Sequence, residues 1–349
     1  MHIFKFSIVV TIFCLGLAGL WGYNTHGGFS GVWSAVSITM ILGVMEVSLS
    51  FDNAVVNASI LKGMDAKWRQ IFLTLGILVA VFGMRLLFPI LVVAFATDQS
   101  MGNVSQMAFN HPEIYSAHLH SSHTAIAAFG GTFLFMIFLG FLFNEGKELH
   151  WLGRVEEKLA ELGKIDSIGI IVTLFVLTIL QANLPLPLEQ RMTMFLAGIA
   201  GLMLYIIVDS LSGFFEVEEE EEAIIKAAKR SGVMAFIYLE ILDASFSFDG
   251  VIGAFAITRD VVIIMLGLAI GAMFIRSLTV YLVNKGTLDE YVFLEHGANY
   301  AIGALALIMF YSIYQDVPDL FTGLIGVAFI LTALVSSVSY KKKHQQTSV

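Results

Sequence analysis

Ten stretches of this sequence stay apolar long enough to cross a lipid bilayer: about 4–22, 31–61, 70–96, 124–143, 167–184, 191–215, 233–257, 261–283, 296–315 and 318–340. A helix needs roughly 18 or more such residues to span the hydrocarbon core. The chain is therefore expected to be an all-α integral membrane protein of about ten transmembrane helices, with residues 1–349 forming a single membrane domain. Composition agrees, since 57% of residues are hydrophobic and 13% charged, against about 45–50% and 25% in soluble domains. The first run, which follows Lys5 and precedes Trp21 and Tyr23, is read as a retained helix with interfacial anchors. A cleaved signal is the alternative.

Loop charges orient these spans. Lys5, Lys62, Lys67, Arg69, Lys147, Arg154, Lys158, Lys164, Lys226, Lys229, Arg230, Lys285 and Lys341 to Lys343 supply 15 of the 19 basic residues and share one side of the membrane. The opposite side has only Arg191 and Arg259, while Arg85 and Arg276 fall inside helices. By the positive-inside rule both termini are cytoplasmic, in a multi-pass protein of the plasma (inner) membrane. The net charge of -9 owes much to the acidic run Glu216 to Glu222. Ahead of the basic residues Lys226 to Arg230, that run reads as a solvated helix whose charges suit its dipole. No nucleic-acid partner is implied, and no protein partner can be named.

Two apolar segments carry nearly the same polar pattern. Glu46-Val-Ser-Leu-Ser-Phe-Asp-Asn53 and Asp243-Ala-Ser-Phe-Ser-Phe-Asp-Gly250 align acid with acid (Glu46 with Asp243, Asp52 with Asp249). They also align serine with serine (Ser48 with Ser245, Ser50 with Ser247). A charged residue at the bilayer centre costs roughly 2.5–3.5 kcal/mol on lenient insertion scales, so the repetition marks a polar site. The copies lie on the second and seventh spans, an odd number apart, and so run in opposite directions. Leu75-Gly76 with Arg85 nine residues after the glycine matches Leu266-Gly267 with Arg276 at the same spacing. The pattern is that of an inverted-topology repeat, with 31–143 as repeat 1, 167–215 as linker helices and 233–315 as repeat 2. Each repeat comprises three spans, numbers 2–4 and 7–9.

Every candidate ligand is an oxygen donor. Glu46, Asp52, Asn53, Glu240, Asp243 and Asp249 form the expected metal site. Ser48, Ser50, Ser245, Ser247, Arg85, Arg276 and Asp209 are expected to support it. Such donors favour hard divalent cations or a proton relay. The single cysteine, Cys14, excludes zinc-thiolate and iron–sulfur chemistry. Glu46 and Asp52 are six residues apart, so one straight helix cannot aim both at one point. Either the two acids line different walls of a cavity, or the helix unwinds near Ser48–Asn53, with Asn53 and Gly250 as the residues suited to a break. The alternative is that the acids pair with Arg85 and Arg276 as a buried structural network. In the loop 97–123, His111, His118, His120 and His123 are read as ordinary loop histidines, with metal capture as the alternative.

Glu46-x-x-Leu-x-x-Asp-Asn53 with Arg85, and Glu240-x-x-Asp243-x-x-Phe-x-x-Asp249 ending in Phe255-Ala-Ile-Thr258, resemble the TerC family of integral membrane proteins. The resemblance covers about residues 31–96 and 233–315. It implies export of manganese or another divalent metal, with the six acidic and amide residues at the family's positions. Here the second motif reads Asp249-Gly-Val-Ile252 where the family usually continues Asp-Ser-Ile-Pro, which marks a divergent branch. The expected function is a secondary transporter exporting a divalent cation, with Mn²⁺ favoured and protons as a candidate counter-ion. No enzymatic role or prosthetic group is expected, and no Gly-x-x-x-x-Gly-Lys-Ser/Thr run is present. A membrane-embedded scaffold or assembly subunit with structural acids is the alternative.

Overall fold

The computed structural model describes residues 4–347 apart from 26–27, 63, 98, 148, 166, 214–231, 234, 244–249, 252–253, 256, 259, 286–290 and 316. Some side chains within helices, that of Asp52 among them, are likewise not described. The described chain is all-α, and it is a multi-pass membrane protein. Its elements are α1 (Lys5–Thr25), α2 (Gly28–Leu49), α3 (Phe51–Lys62), α4 (Ala66–Leu78), a π-helical segment (Val79–Leu87) and α5 (Phe88–Thr97). Then come α6 (Met101–Asn110), α7 (Pro112–Ser121), α8 (His123–Leu142), α9 (Arg154–Glu161), α10 (Ile168–Asn183) and α11 (Leu188–Gly213). The last four are α12 (235–243), α13 (Val261–Lys285), α14 (Leu294–Ser312) and α15 (Asp319–Thr347).

Among the described residues six helices are long and apolar enough to cross a membrane: Lys5–Thr25, Gly28–Ser48, His123–Leu142, Leu188–Ser210, Val261–Asn284 and Leu324–Lys342. Several of the expected runs depart from single spans for local reasons. The run 31–61 is two helices, parted at Ser50. The run 70–96 is α4, the π-helical segment and α5 in succession. Within 233–257, residues 244–249 lie outside the described set. The acidic run 216–222 also falls outside it.

The chain divides into two compact units, Met1–Ser122 with Ala235–Gly286, and His123–Met234 with Thr287–Val349. In the first, α1 lies against α2 and α13, and α13 also packs on α2, α3, α4 and the π-helical segment. Helix α1 turns Phe6, Val9, Ile12 and Phe13 outward and buries Ser7, Cys14, Ala18 and Gly22. That reverses the order of a soluble helix and suits a span whose large side chains face lipid while small ones admit a neighbour. Ser7 Oγ donates to the Met273 carbonyl at 2.9 Å and meets Ser277 Oγ at 2.6 Å. At the other end, Trp21 Nε1 donates to Asp260 Oδ2 at 2.8 Å. Asp260 Oδ1 in turn accepts from the backbone of Val262 and Ile263, capping α13.

In the second unit α8 packs on α11, α14 and α10, and α14 packs on α15. Beyond the end of α8, Glu156 of α9 is fully buried. It accepts from Lys147 Nζ at 2.8 Å and from the Leu152 backbone at 3.0 Å. His296 Nε2 of α14 lies 3.6 Å from the same carboxylate and 2.9 Å from the Leu149 carbonyl. Burial works to raise the Glu156 carboxyl, but Lys147, the Leu152 N–H and His296 outweigh it and hold it below its ordinary value of 4.5.

Two predictions follow from these contacts. A Cβ on Gly22 would lie 2.6 Å from Ala35 Cβ and run into the Gly31 carbonyl, whereas one on Gly16 meets nothing within 4 Å. In thermal unfolding of the detergent-solubilised protein, Gly22→Ala should cost about 1–3 kcal/mol and Gly16→Ala almost nothing. For Glu156 the stabilisation is complete above pH 4.5 and is lost as pH falls through the lower folded value. Lowering the pH from about 6 to about 3 should therefore reduce the melting temperature of the wild type more than that of Glu156→Gln.

Candidate functional site

All the described side chains of the expected metal set belong to the first unit. Helix α2 ends where the Ser50 backbone N–H bonds the Glu46 carbonyl at 2.9 Å. The Ser50 hydroxyl then turns onto Glu46 Oε1 at 3.2 Å, a side-chain bond of the kind that competes with helix continuation. Helix α2 does part from α3, at Ser50. Asn53 is helical within α3, which corrects its reading as a breaking residue, while a break at Gly250 would involve 244–249, which lie outside the described residues. Asn53 is buried on α3.

Glu46 is 1% exposed and pairs with Arg85 from the π-helical segment. A Cβ on Gly250 would come within 2.7 Å of Glu46 Oε2, and a Cβ on Gly271 would collide with Glu46 Cβ and Cγ. These glycines make room for the acid. Ser48 takes no part: it is exposed, and its Oγ donates to the Val44 carbonyl at 2.9 Å. Its place on the far face of α2 corrects the expectation that both serines of the motif line the site.

The second copy holds a matching pair. Arg276 Nη2 lies 3.5 Å from Asp243 Oδ2 and 3.4 Å from Glu240 Oε1. Arg276 Nη1 donates to the Phe72 carbonyl at 2.5 Å, and the guanidinium carbon sits 4.2 Å from the centroid of the Phe72 ring. A Cβ on Gly76 would meet Glu240 Oε1 at 2.6 Å, so this glycine admits the second ion pair. Asn57 Nδ2 of α3 donates to Asp243 Oδ1 at 3.2 Å, tying the two copies together. Each arginine thus holds the acid that the sequence aligns with its partner's acid: Arg85 with Glu46, Arg276 with Asp243.

Ser50, Asn53, Asn57, Arg85, Asp243, Ala272, Ile275 and Arg276 line a cavity of about 10 Å³, enough for one water-sized occupant. Counted as ionised, the described charges are three carboxylates (Glu46, Glu240 and Asp243) and two guanidiniums, an excess of one negative charge. Glu240 is 6% exposed and its Oε2 makes no hydrogen bond among the described residues. A desolvated carboxylate oxygen of this kind favours a proton or a cation.

Ser245, Ser247 and Asp249 lie outside the described residues, as does the Asp52 side chain. Asp209 is exposed on α11 in the second unit, one turn after Tyr205. No group of three or more His, Cys, Asp or Glu side chains placed to hold a metal ion is found among the described residues, and this includes His111, His118, His120 and His123. Glycine complementarity and the π-helical segment escaped the sequence reading. The aligned Gly76 and Gly267 were a visible signal, since both are close approaches: Gly76 to Glu240 and Arg276, Gly267 to Leu42 and the Thr39 carbonyl.

Fold and site together define a multi-pass α-helical membrane protein with buried acid–arginine pairs. Residues 51–344 match the family described as "Protein of unknown function (DUF475)", and the chain belongs to that family. It is 29% identical over 158 residues to the "Uncharacterized membrane protein YceF" of Bacillus subtilis (strain 168). That match covers 42% of this chain and 60% of the relative's length. No solved structure matches the chain.

Removing one member of a buried ion pair costs about 3–5 kcal/mol, whereas neutralising both can be nearly harmless. Arg85→Met should therefore lower the unfolding temperature strongly, and Arg85→Met with Glu46→Gln should recover most of the loss. A double variant no more stable than Arg85→Met would dissolve the pair as an energetic unit.

Proposed function

We propose that the chain is a secondary transporter that exports a divalent metal cation, with Mn²⁺ the favoured cargo, through the acids of the two aligned copies. The observation that carries this reading is the repeated acid–arginine pair at a small polar cavity, with Glu240 as a third carboxylate on Arg276. In the cation-free state Arg85 engages Glu46 and Arg276 engages Asp243 and Glu240, which limits the cost of burying these acids. An arriving divalent cation brings two charges and draws Glu46, Glu240 and Asp243 away from the arginines. The amide oxygens of Asn53 and Asn57 can complete an oxygen shell with Asp52 and Asp249. When the cation leaves, the guanidiniums return, and Glu240 Oε2 offers a place for a counter-transported proton.

Oxygen-only donors support a hard cation, and the likeness of both motifs to the TerC family supports manganese. The aligned acid–arginine pairs, Arg85 with Glu46 and Arg276 with Asp243, support two inverted repeats that rock against one another, as in other secondary transporters. Loop charge supports cytoplasmic termini in the plasma membrane. This reading involves no catalysis and no prosthetic group.

A scaffold or assembly subunit is the second reading, favoured by the engagement of Glu46 and Asp243 with arginine in the structure. Cellular metal content separates the two. Cells expressing Glu46→Gln, Asp52→Asn or Asp249→Asn should retain several-fold more manganese under manganese load than cells expressing the wild type, and should tolerate it less. Equal content and tolerance in all four, with a stoichiometric partner co-purifying, would favour the scaffold.

A further inference from the structure

Helix α9 has three faces. Glu156 and Ala160 are buried against the second unit. Val155 and Leu162, seven residues apart and so on one side of a helix, are 62% and 39% exposed. Leu152 and Ile165, just outside the helix at its two ends, are 53% and 49% exposed, and Leu159 is half-buried beside Val155 and Leu162. The third face is charged. Arg154 and Lys158 adjoin the apolar stripe, while Glu157 and Glu161 sit further round. The roll of the helix is not free, because Lys147, the Leu152 backbone and His296 all engage the inward Glu156 carboxylate. That latch commits the apolar stripe to facing out of the protein.

The helix also has a fixed height. Helix α8, long and apolar enough to cross a membrane, ends at Leu142. Helix α10 begins at Ile168 and is apolar throughout. The segment Arg154–Lys164 meets Ile168–Asn183 at 101°, through Ser167 in the left-handed region at φ 63°. Helix α9 thus turns about a right angle away from α10 just past the end of the α8 span, the disposition of a helix that runs along the membrane surface.

We infer that α9 is an interfacial helix whose occupant is the phospholipid surface itself. Leu152, Val155, Leu162 and Ile165 enter the boundary between headgroups and acyl chains. Arg154 and Lys158 extend beside them to lipid phosphates, and Glu157 and Glu161 point to water. A soluble partner would leave the basic residues beside the stripe without a reason, whereas a phosphate plane over an acyl layer matches both.

The test uses the full chain in phosphatidylcholine vesicles with and without phosphatidylglycerol. An environment-sensitive fluorophore is placed on a single cysteine replacing Val155, Leu162 or Glu157, in a Cys14→Ser background. Probes at 155 and 162 should be quenched at least twofold more by brominated acyl chains than by aqueous iodide, and the probe at 157 should show the reverse. Adding Arg154→Gln and Lys158→Gln should abolish any deepening caused by phosphatidylglycerol while leaving thermal unfolding in detergent unchanged. Equal iodide quenching at all three positions would overturn the assignment. So would protection of 155 and 162 from both quenchers, which would mean a protein covers the stripe.

Discussion

Charge buried in a medium that cannot solvate it is the constraint on which this molecule is built. Glu46, Glu240, Arg85 and Arg276 are each less than a tenth exposed, on helices whose surroundings are apolar. A lone carboxylate or guanidinium at that depth would be neutralised or would pull its helix toward water. Opposite charges at contact distance are the available remedy, and contact distance restricts the backbone. Glu46 reaches Arg85 where Gly250 and Gly271 leave room for its carboxylate and its stem. Arg276 reaches Glu240 and Asp243 where Gly76 has no Cβ. The end of α2 at Ser50 and the wide turns of the π-helical segment that carries Arg85 belong to the same arrangement.

Packing elsewhere follows from the same solvent. Lipid tails are as apolar as leucine, so helices gain little by hiding large side chains and more by approaching closely. Gly22 lies against Gly31 and Ala35 in the first unit, and in the second Gly201 lies against the Phe129 carbonyl and Gly297 against Ala333. Phenylalanines, leucines and isoleucines cover the outside. Polar ties such as Ser7 to Ser277 and Phe293 N to Ser337 Oγ then add direction that apolar contacts lack.

The apolar runs made the class of fold legible, because their lengths are set by bilayer thickness and need no knowledge of tertiary contacts. The acids and arginines were legible for the same reason: a charge in such a run needs an explanation. What stayed hidden depends on neighbours distant in sequence. Asn53 has the intrinsic freedom to break a helix, yet α2 parts from α3 at Ser50, whose hydroxyl finds Glu46. Gly250 leaves a gap for a carboxylate from another helix. Ser48 and Ser50 are indistinguishable in the motif, but the end of α2 leaves one outside and turns the other onto the acid.

Ion pairs of this kind are poor devices for stability alone. Well-packed apolar residues of similar volume often replace buried pairs at no loss, and a bilayer would make that exchange still more favourable. A chain that keeps two such pairs in aligned positions, with a third carboxylate on Arg276 and two amides lining the cavity beside both arginines, holds more polar chemistry than helix association requires. The surplus is negative, and one oxygen of Glu240 is buried with no hydrogen bond among the described residues. A structural network would tend toward balanced charge and fully used hydrogen bonds. An arrangement that leaves negative charge in excess and tethers its own cations nearby is better suited to exchanging one positive partner for another.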